Sequence, residues 1–207
     1  MTEQERRARA EQRERFDFAV IASWIPPGER VLDLGCGDGR LLRYLNETRD
    51  VTGYGVEIDD ESVLRCICNG VDVLQMDIEC GLSGFEDNSF DHVIISQALQ
   101  TMHATERILG EMLRVAAEAV VSFPNFAYRA NREAINRGHM PVSEDLPYDW
   151  FDTPNVRFFT IVDFEDLCAR LGLEIRERLA FDEAGREVSD DPNLNGSLAF
   201  FRLGRPS

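Results

Sequence analysis

The stretch VLDLGCGDGR, Val31 to Arg40, is an apolar run that breaks into Gly35, Gly37 and Gly39 with an acid on either side. A strand that ends in glycines and turns into a helix lets backbone N–H groups and the positive helix end approach a ligand closely. The spacing selects the ligand. A dinucleotide fingerprint runs G-x-G-x-x-G, its third glycine packing helix against strand. Here the order is Gly35-x-Gly37-x-Gly39, with Asp33 two residues before the first glycine. That matches a nicotinamide site poorly, and an oxidoreductase of that kind is disfavoured.

Working outward, strands and helices alternate, the signature of a parallel sheet covered on both faces. Before the loop, a capping box at Thr2 and Glu5 is expected to open a helix over 1–24 whose apolar side begins at Phe16, Phe18, Val20 and Ile21, and Ile25–Glu29 (IPPGE) breaks it. After the loop come a helix from Arg40 to Leu45, a strand over Val51–Ile58, and a helix over Asp60–Asn69 packed by Val63 and Ile67 and closed by Gly70. A strand over Val71–Met76, a strand over Asp91–Ser96, a helix over Thr105–Val115 and a strand over Ala119–Phe123 complete the 25–123 core. The segment 124–160, rich in proline, asparagine, aromatics and arginine, reads as a lid or binding element, or as unrecognised local helices. A helix over Asp163–Leu171 and two strands, Leu173–Phe181 and Ser197–Leu203, form the 161–207 end as an antiparallel pair. The whole is read as one domain, 1–207, which at this length buries roughly 70% of its unfolded surface.

Composition narrows the function classes. The formal net charge is −16, and all 22 basic residues are arginine, since the chain has no lysine. So acidic a chain repels phosphate backbones, which disfavours nucleic acid as a partner. The missing lysine fits a GC-rich genome better than a saline cytoplasm. No apolar run is long enough to span a bilayer, and the charged N-terminus has no signal-peptide core, so a soluble cytoplasmic protein is expected. The odd set of five cysteines lacks paired zinc spacing and reads as reduced thiols with no metal site, metal binding being the weaker alternative, and Cys66 and Cys68 point apart on their helix.

VLDLGCGDG resembles motif I of the class I S-adenosylmethionine-dependent methyltransferases. The resemblance implies a Rossmann-like α/β fold, a seven-stranded mostly parallel sheet with one strand inserted antiparallel and helices on both faces. It also implies that the amino-acid end of S-adenosylmethionine (or S-adenosylhomocysteine) lies on Gly35, Cys36, Gly37 and Gly39, oriented by Asp33. A sulfonium cofactor is positive, so nearby carboxylates suit it where a pyrophosphate would be repelled. Glu57 ends the second strand roughly 20 residues past the loop, the distance at which an acid accepts from ribose hydroxyls, with Ile58 beside it. By resemblance, Asp77 faces the adenine amino group with Met76 or Ile78 flanking the ring, and Ser96 follows the fourth strand, where this fold places residues beside the methyl group.

A narrower resemblance follows from SFPNF (Ser122–Phe126), MPVS (Met140–Ser143) and LPYDWFDTPN (Leu146–Asn155). Together with GYGVEIDDESVLRCICNGVDVLQMDIE upstream, they resemble the methionine-biosynthesis MetW family over roughly residues 28–175. That family implies association with homoserine O-acyltransferase and support of its activity by binding. Ala127-Tyr128 and Arg157 depart from the family pattern, where glycine with an aromatic or histidine, and histidine, are common.

Two expectations follow. The first is a cofactor-binding accessory protein of homoserine O-acyltransferase. Trp150, Tyr128, Tyr148, Met140, Arg129, Arg132 and Arg157 supply the residue types that interface centres favour. The second is an active methyltransferase acting on a small-molecule acceptor. Transfer needs a nucleophile in line with the methyl carbon and a base only if the acceptor must lose a proton. Gln97, Gln100, His103 and Tyr128 are the candidates for that work, with His139 as a further base and Tyr148 and Trp150 as pocket walls.

Overall fold

The computed structural model describes residues 3–206, with side chains from residue 12 onward. The expected capping box at Thr2 lies outside the described residues. Seven strands form one sheet: β1 (Arg30–Leu34), β2 (Thr52–Glu57), β3 (Val73–Gln75), β4 (Phe90–Ser96), β5 (Ala116–Pro124), β6 (Glu174–Phe181) and β7 (Leu198–Gly204). Their order is β3-β2-β1-β4-β5-β7-β6. The first five run parallel, and β7 lies antiparallel between β5 and β6, with Val121 opposite Phe201. This is the expected class I methyltransferase topology.

Alternation along each strand sends side chains to opposite faces. Val31, Ile94, Val120 and Phe200 pack on one face with Ile21, Trp24, Leu41 and Leu45 of α1 (Glu3–Trp24) and α2 (Arg40–Arg49). Leu32, Val93, Val121 and Phe201 pack on the other with Ile108, Met112, Phe164 and Cys168 of α4 (Thr105–Val115) and α6 (Ile161–Leu171). A capping box at Thr160 and Asp163 starts α6 and Gly172 stops it, so the helix begins before the expected Asp163. The last strand pair begins on β6 at Glu174 and on β7 at Leu198, one residue later than expected in each case.

The helix α3 (Asp60–Cys68) corrects one expectation. Ile67 is 60% exposed, and the buried residue is Cys66, at 0%, with Cys68 facing out. The reason is space: a Cβ on Gly39 would stand 3.1 Å from the Cys66 sulfur, so the helix meets the glycine loop too closely for a larger side chain.

The 124–160 segment contains α5 (Arg129–Asn136), which the sequence reading left unassigned. Both ends of this excursion meet at Asn125, which is fully buried. Its Oδ1 accepts from the amides of Ala127 and Ile161, and its Nδ2 donates to the carbonyls of Asn193 and Gly196. No helix among the described residues is long and apolar enough to cross a membrane.

Candidate functional site

The strand order reverses between β1 and β4, and an open α/β sheet binds ligands at such a switch point, beyond the carboxyl ends of its strands. The glycine loop follows β1. Gly35, Gly37 and Gly39 all have positive φ (70°, 57° and 79°), which glycine adopts without a Cβ penalty. Their surroundings differ. A Cβ on Gly35 would press on Ala98 at 3.2 Å and one on Gly39 on Cys66 and Val71 at 3.1 Å, whereas a Cβ on Gly37 would meet nothing within 4 Å. Gly35 and Gly39 therefore serve packing, and Gly37 borders open space where a ligand can approach the backbone.

Glu57, at the end of β2, shapes this loop. Its Oε2 accepts from the Gly37 amide at 2.9 Å, and its Oε1 accepts from the amides of Ile58 and Asp59 at 2.7 and 3.0 Å. A carboxylate offers about four acceptor positions, so one remains for a ligand hydroxyl. Asp33 lies beneath the loop, 2% exposed, with no ion pair among the described residues. Burial first, and the Glu57 charge second, push its carboxyl up from 3.8 to about 7. Asp77, after β3, caps a short turn, its Oδ1 accepting from the Glu79 amide at 2.8 Å, while Met76 and Ile78 rest against the core. Cys36 and Cys66 approach within 3.7 Å as buried free thiols, both held above their ordinary pKa by burial.

Beyond β4, the Ser96 and Ser122 hydroxyls meet at 3.1 Å, and Gln97 takes a left-handed φ of 51°, a costly backbone for a residue with a Cβ. Gln100 is buried and donates to the Gln97 carbonyl at 2.7 Å, but its Oε1 has no partner among the described residues. Its own carbonyl accepts from the amides of Val156 and Arg157, each at 3.0 Å, tying the excursion to this end of the sheet.

The other candidates are dispersed. The His103 ring is exposed and borders a separate cleft with Arg107, Arg157, Phe158 and Leu167. Tyr128 caps α5, and burial, then Glu183, Asp182 and Asp145, raise its phenol above the usual range. His139 is exposed, and Tyr148 (46%) and Trp150 (72%) face outward, so neither aromatic walls a closed pocket.

Three residues that the sequence reading missed join the site. Asp17 of α1 is 4% exposed and its Oδ2 accepts from Gln97 Nε2 at 2.7 Å. Arg13, one turn earlier, pairs with the buried Asp145 at 2.5 Å. Burial is the main cause that lifts Asp17 from 3.8 to about 7, and Asp145 rises too. A signal was available: Arg13, Asp17, Ile21 and Trp24 are spaced four, four and three, which places two charges on the buried face of the helix.

Comparison with known proteins agrees with this architecture. A family model described as methionine biosynthesis protein MetW matches residues 15–203, beyond the 28–175 expected, and so takes in the C-terminal part of α1 and nearly all of β7. The chain is 39% identical over 202 residues, 91% of its length, to the bifunctional methionine biosynthesis protein MetXA/MetW of Rhodopirellula baltica, and it spans 32% of that relative. Among solved structures, an S-adenosylmethionine-dependent methyltransferase from Mesorhizobium loti matches with a TM-score of 0.68 at 19% identity, covering 92% of this chain and 98% of that one. A methyltransferase from Thermotoga maritima, described as a possible histamine N-methyltransferase, matches at 0.66 and 20% identity, over 92% and 88%. At such identities the structures speak to the fold alone, while the family match covers nearly the whole sequence: this chain belongs to the MetW family of methionine biosynthesis.

Proposed function

We propose that the chain binds S-adenosylmethionine or S-adenosylhomocysteine over the glycine loop and, in the cytoplasm, supports homoserine O-acyltransferase by forming a complex with it. The observation that carries the partnership is the relative whose name joins MetXA and MetW in one bifunctional protein. Joining two modules in one chain enforces a proximity that separate chains reach by binding. The excursion suits such a contact: Trp150 and Phe151 are 72% and 69% exposed and adjacent, with Met140, Val142 and Tyr148 also in solvent. Large exposed aromatics are the residues that anchor interfaces.

The pocket suits the cofactor. Open space at Gly37 admits its amino-acid end, Gly35, Cys36 and Gly39 hold the loop around it, and Glu57 keeps an acceptor position for ribose. Asp33, buried without a counter-ion among the described residues, gains one when a cation binds above it. In this reading Asp77, with Met76, Ile78 and Ile58, frames the adenine, and Ser96 borders the sulfur end. When bound, S-adenosylmethionine supplies a positive sulfonium bearing an electrophilic methyl group.

The test is an acyltransferase assay on the purified partner enzyme, with and without this protein and with and without S-adenosylmethionine. The reading expects higher acyltransferase activity with the protein present, altered by the cofactor and insensitive to it in Asp33→Ala. An acyltransferase fully active alone sinks it.

A second reading, methyl transfer to a small molecule, is favoured by the Asp17, Gln97 and Gln100 cluster, where buried acceptor atoms with no partner among the described residues stand beyond β4. It expects labelled methyl to appear in an acceptor from a metabolite pool and to be lost in Gly37→Arg; silence across broad pools counts against it.

A further inference from the structure

We propose that the cavity between α1 and the β6–β7 connection is a binding site for a small organic amine, its ammonium group held by Asp17 and its apolar body by Phe16, Phe181 and Leu198. The inference goes beyond both readings above and stands whether or not a methyl group is transferred.

The cavity measures about 320 Å³, at the lower end of small-ligand pockets, and Asp182 to Gly185 form its far wall. Asp17 borders it. One oxygen of this carboxylate is held by Gln97, and the other, Oδ1, is buried with no partner among the described residues. An acceptor left so in a folded protein costs free energy that a ligand donor recovers. The neighbouring cation does not meet the need: Arg13 sits one turn away but directs its guanidinium to Asp145 at 2.5 Å and to the Glu183 carbonyl at 3.1 Å. Asp17 thus feels the Arg13 charge but makes no ion pair with it among the described residues.

The remaining walls select the ligand. Phe16 and Phe181 stand edge to face with centroids 4.8 Å apart. Aromatic faces attract ammonium groups, and a carboxylate beside them makes a cage suited to a cation rather than an anion. The lining carries Asp17, Glu144, Asp182 and Glu183 against the single cation Arg13, which favours a cationic ligand over an anionic one.

The experiment titrates the full chain, already saturated with S-adenosylhomocysteine, with 2-phenylethylamine and with its neutral counterpart 2-phenylethanol, followed by calorimetry and by the NMR shifts of Phe181 and Leu198. The amine is expected to bind at least 10-fold more tightly than the alcohol and to shift both residues. Its affinity is expected to rise several-fold from pH 6 to pH 8 as Asp17 ionises, and to fall at least 10-fold in Asp17→Asn. Equal affinity for amine and alcohol, shifts confined to other residues, a flat pH profile, or full affinity in Asp17→Asn would each overturn the proposal. The first three readouts use the unmodified protein, so the test survives if the variant does not fold.

Discussion

The carboxylate of Glu57 and the amide of Gly37 are joined by a 2.9 Å hydrogen bond that runs from the end of β2 to the middle of the glycine loop. Glu57 therefore both shapes the loop and offers an acceptor to a ligand. In Glu57→Gln, an NH2 group replaces one oxygen and faces either the Gly37 amide or those of Ile58 and Asp59, donor against donor. Losing charge-assisted bonds of this kind is expected to weaken S-adenosylhomocysteine binding by about 10- to 100-fold, read by calorimetry.

On the proposed function, Asp33 would make cofactor binding a proton-linked event. With its carboxyl at about 7, it is roughly half protonated at neutral pH. The α-ammonium at the amino-acid end, common to S-adenosylmethionine and S-adenosylhomocysteine, favours the charged form and lowers that value, so either ligand is expected to expel up to about half a proton. The binding enthalpy measured in buffers of different ionisation heat reports the proton count. Binding without proton release, or release that persists in Asp33→Asn, contradicts this.

The buried Asp17 sets a pH dependence of stability with a definite sign. Its folded value of about 7 lies above the ordinary 3.8, so the native state holds the proton more tightly than the unfolded chain does. Its contribution is fully present below about pH 4 and is lost as pH rises toward 7, by on the order of 4 kcal/mol at most. Asp17→Asn removes that loss. Relative to the unmodified protein, the variant is expected to gain stability between pH 5 and 8 in denaturant titrations at each pH; a constant difference across the range would refute the assignment.

Trp150 and Phe151 test the proposed interface. Both are exposed, so replacing them with serine is expected to leave the melting temperature within about 1 °C and to weaken the complex with the acyltransferase at least 10-fold, measured by surface-based binding.

Asn125 tests the base of the excursion. Its side chain makes four hydrogen bonds in a fully buried position, and alanine would orphan the amides of Ala127 and Ile161 and the carbonyls of Asn193 and Gly196. A loss of about 3 to 5 kcal/mol is expected in urea unfolding.

The sheet and the glycine loop were legible because their determinants are local: apolar runs that end in glycine, and acids at strand ends. Gly35, Gly37 and Gly39 nevertheless looked alike in sequence, and only the packing of Ala98, Cys66 and Val71 separates two structural glycines from the one beside open space. The inward face of α3 was misread because Val63 and Ile67 satisfy the helical period, while the close approach of the glycine loop admits only Cys66. The helix α5 escaped notice because its buried residue is polar: Asn131 donates to the Asn125 carbonyl, and no apolar stripe marks the helix. Asp17 was hidden among phenylalanines, since a carboxylate on an apolar face becomes informative only when Gln97, distant in sequence, is seen to meet it.

The hub at Asn125 has an evolutionary consequence. Because one amide clamps the departure of the excursion at Ala127 and its return at Ile161, the chain between them is a cassette whose closing entropy is largely settled at its neck. Its length and surface can drift while the sheet and the glycine loop keep their geometry. A lineage holding such a fold can change the company it keeps by rewriting a single segment.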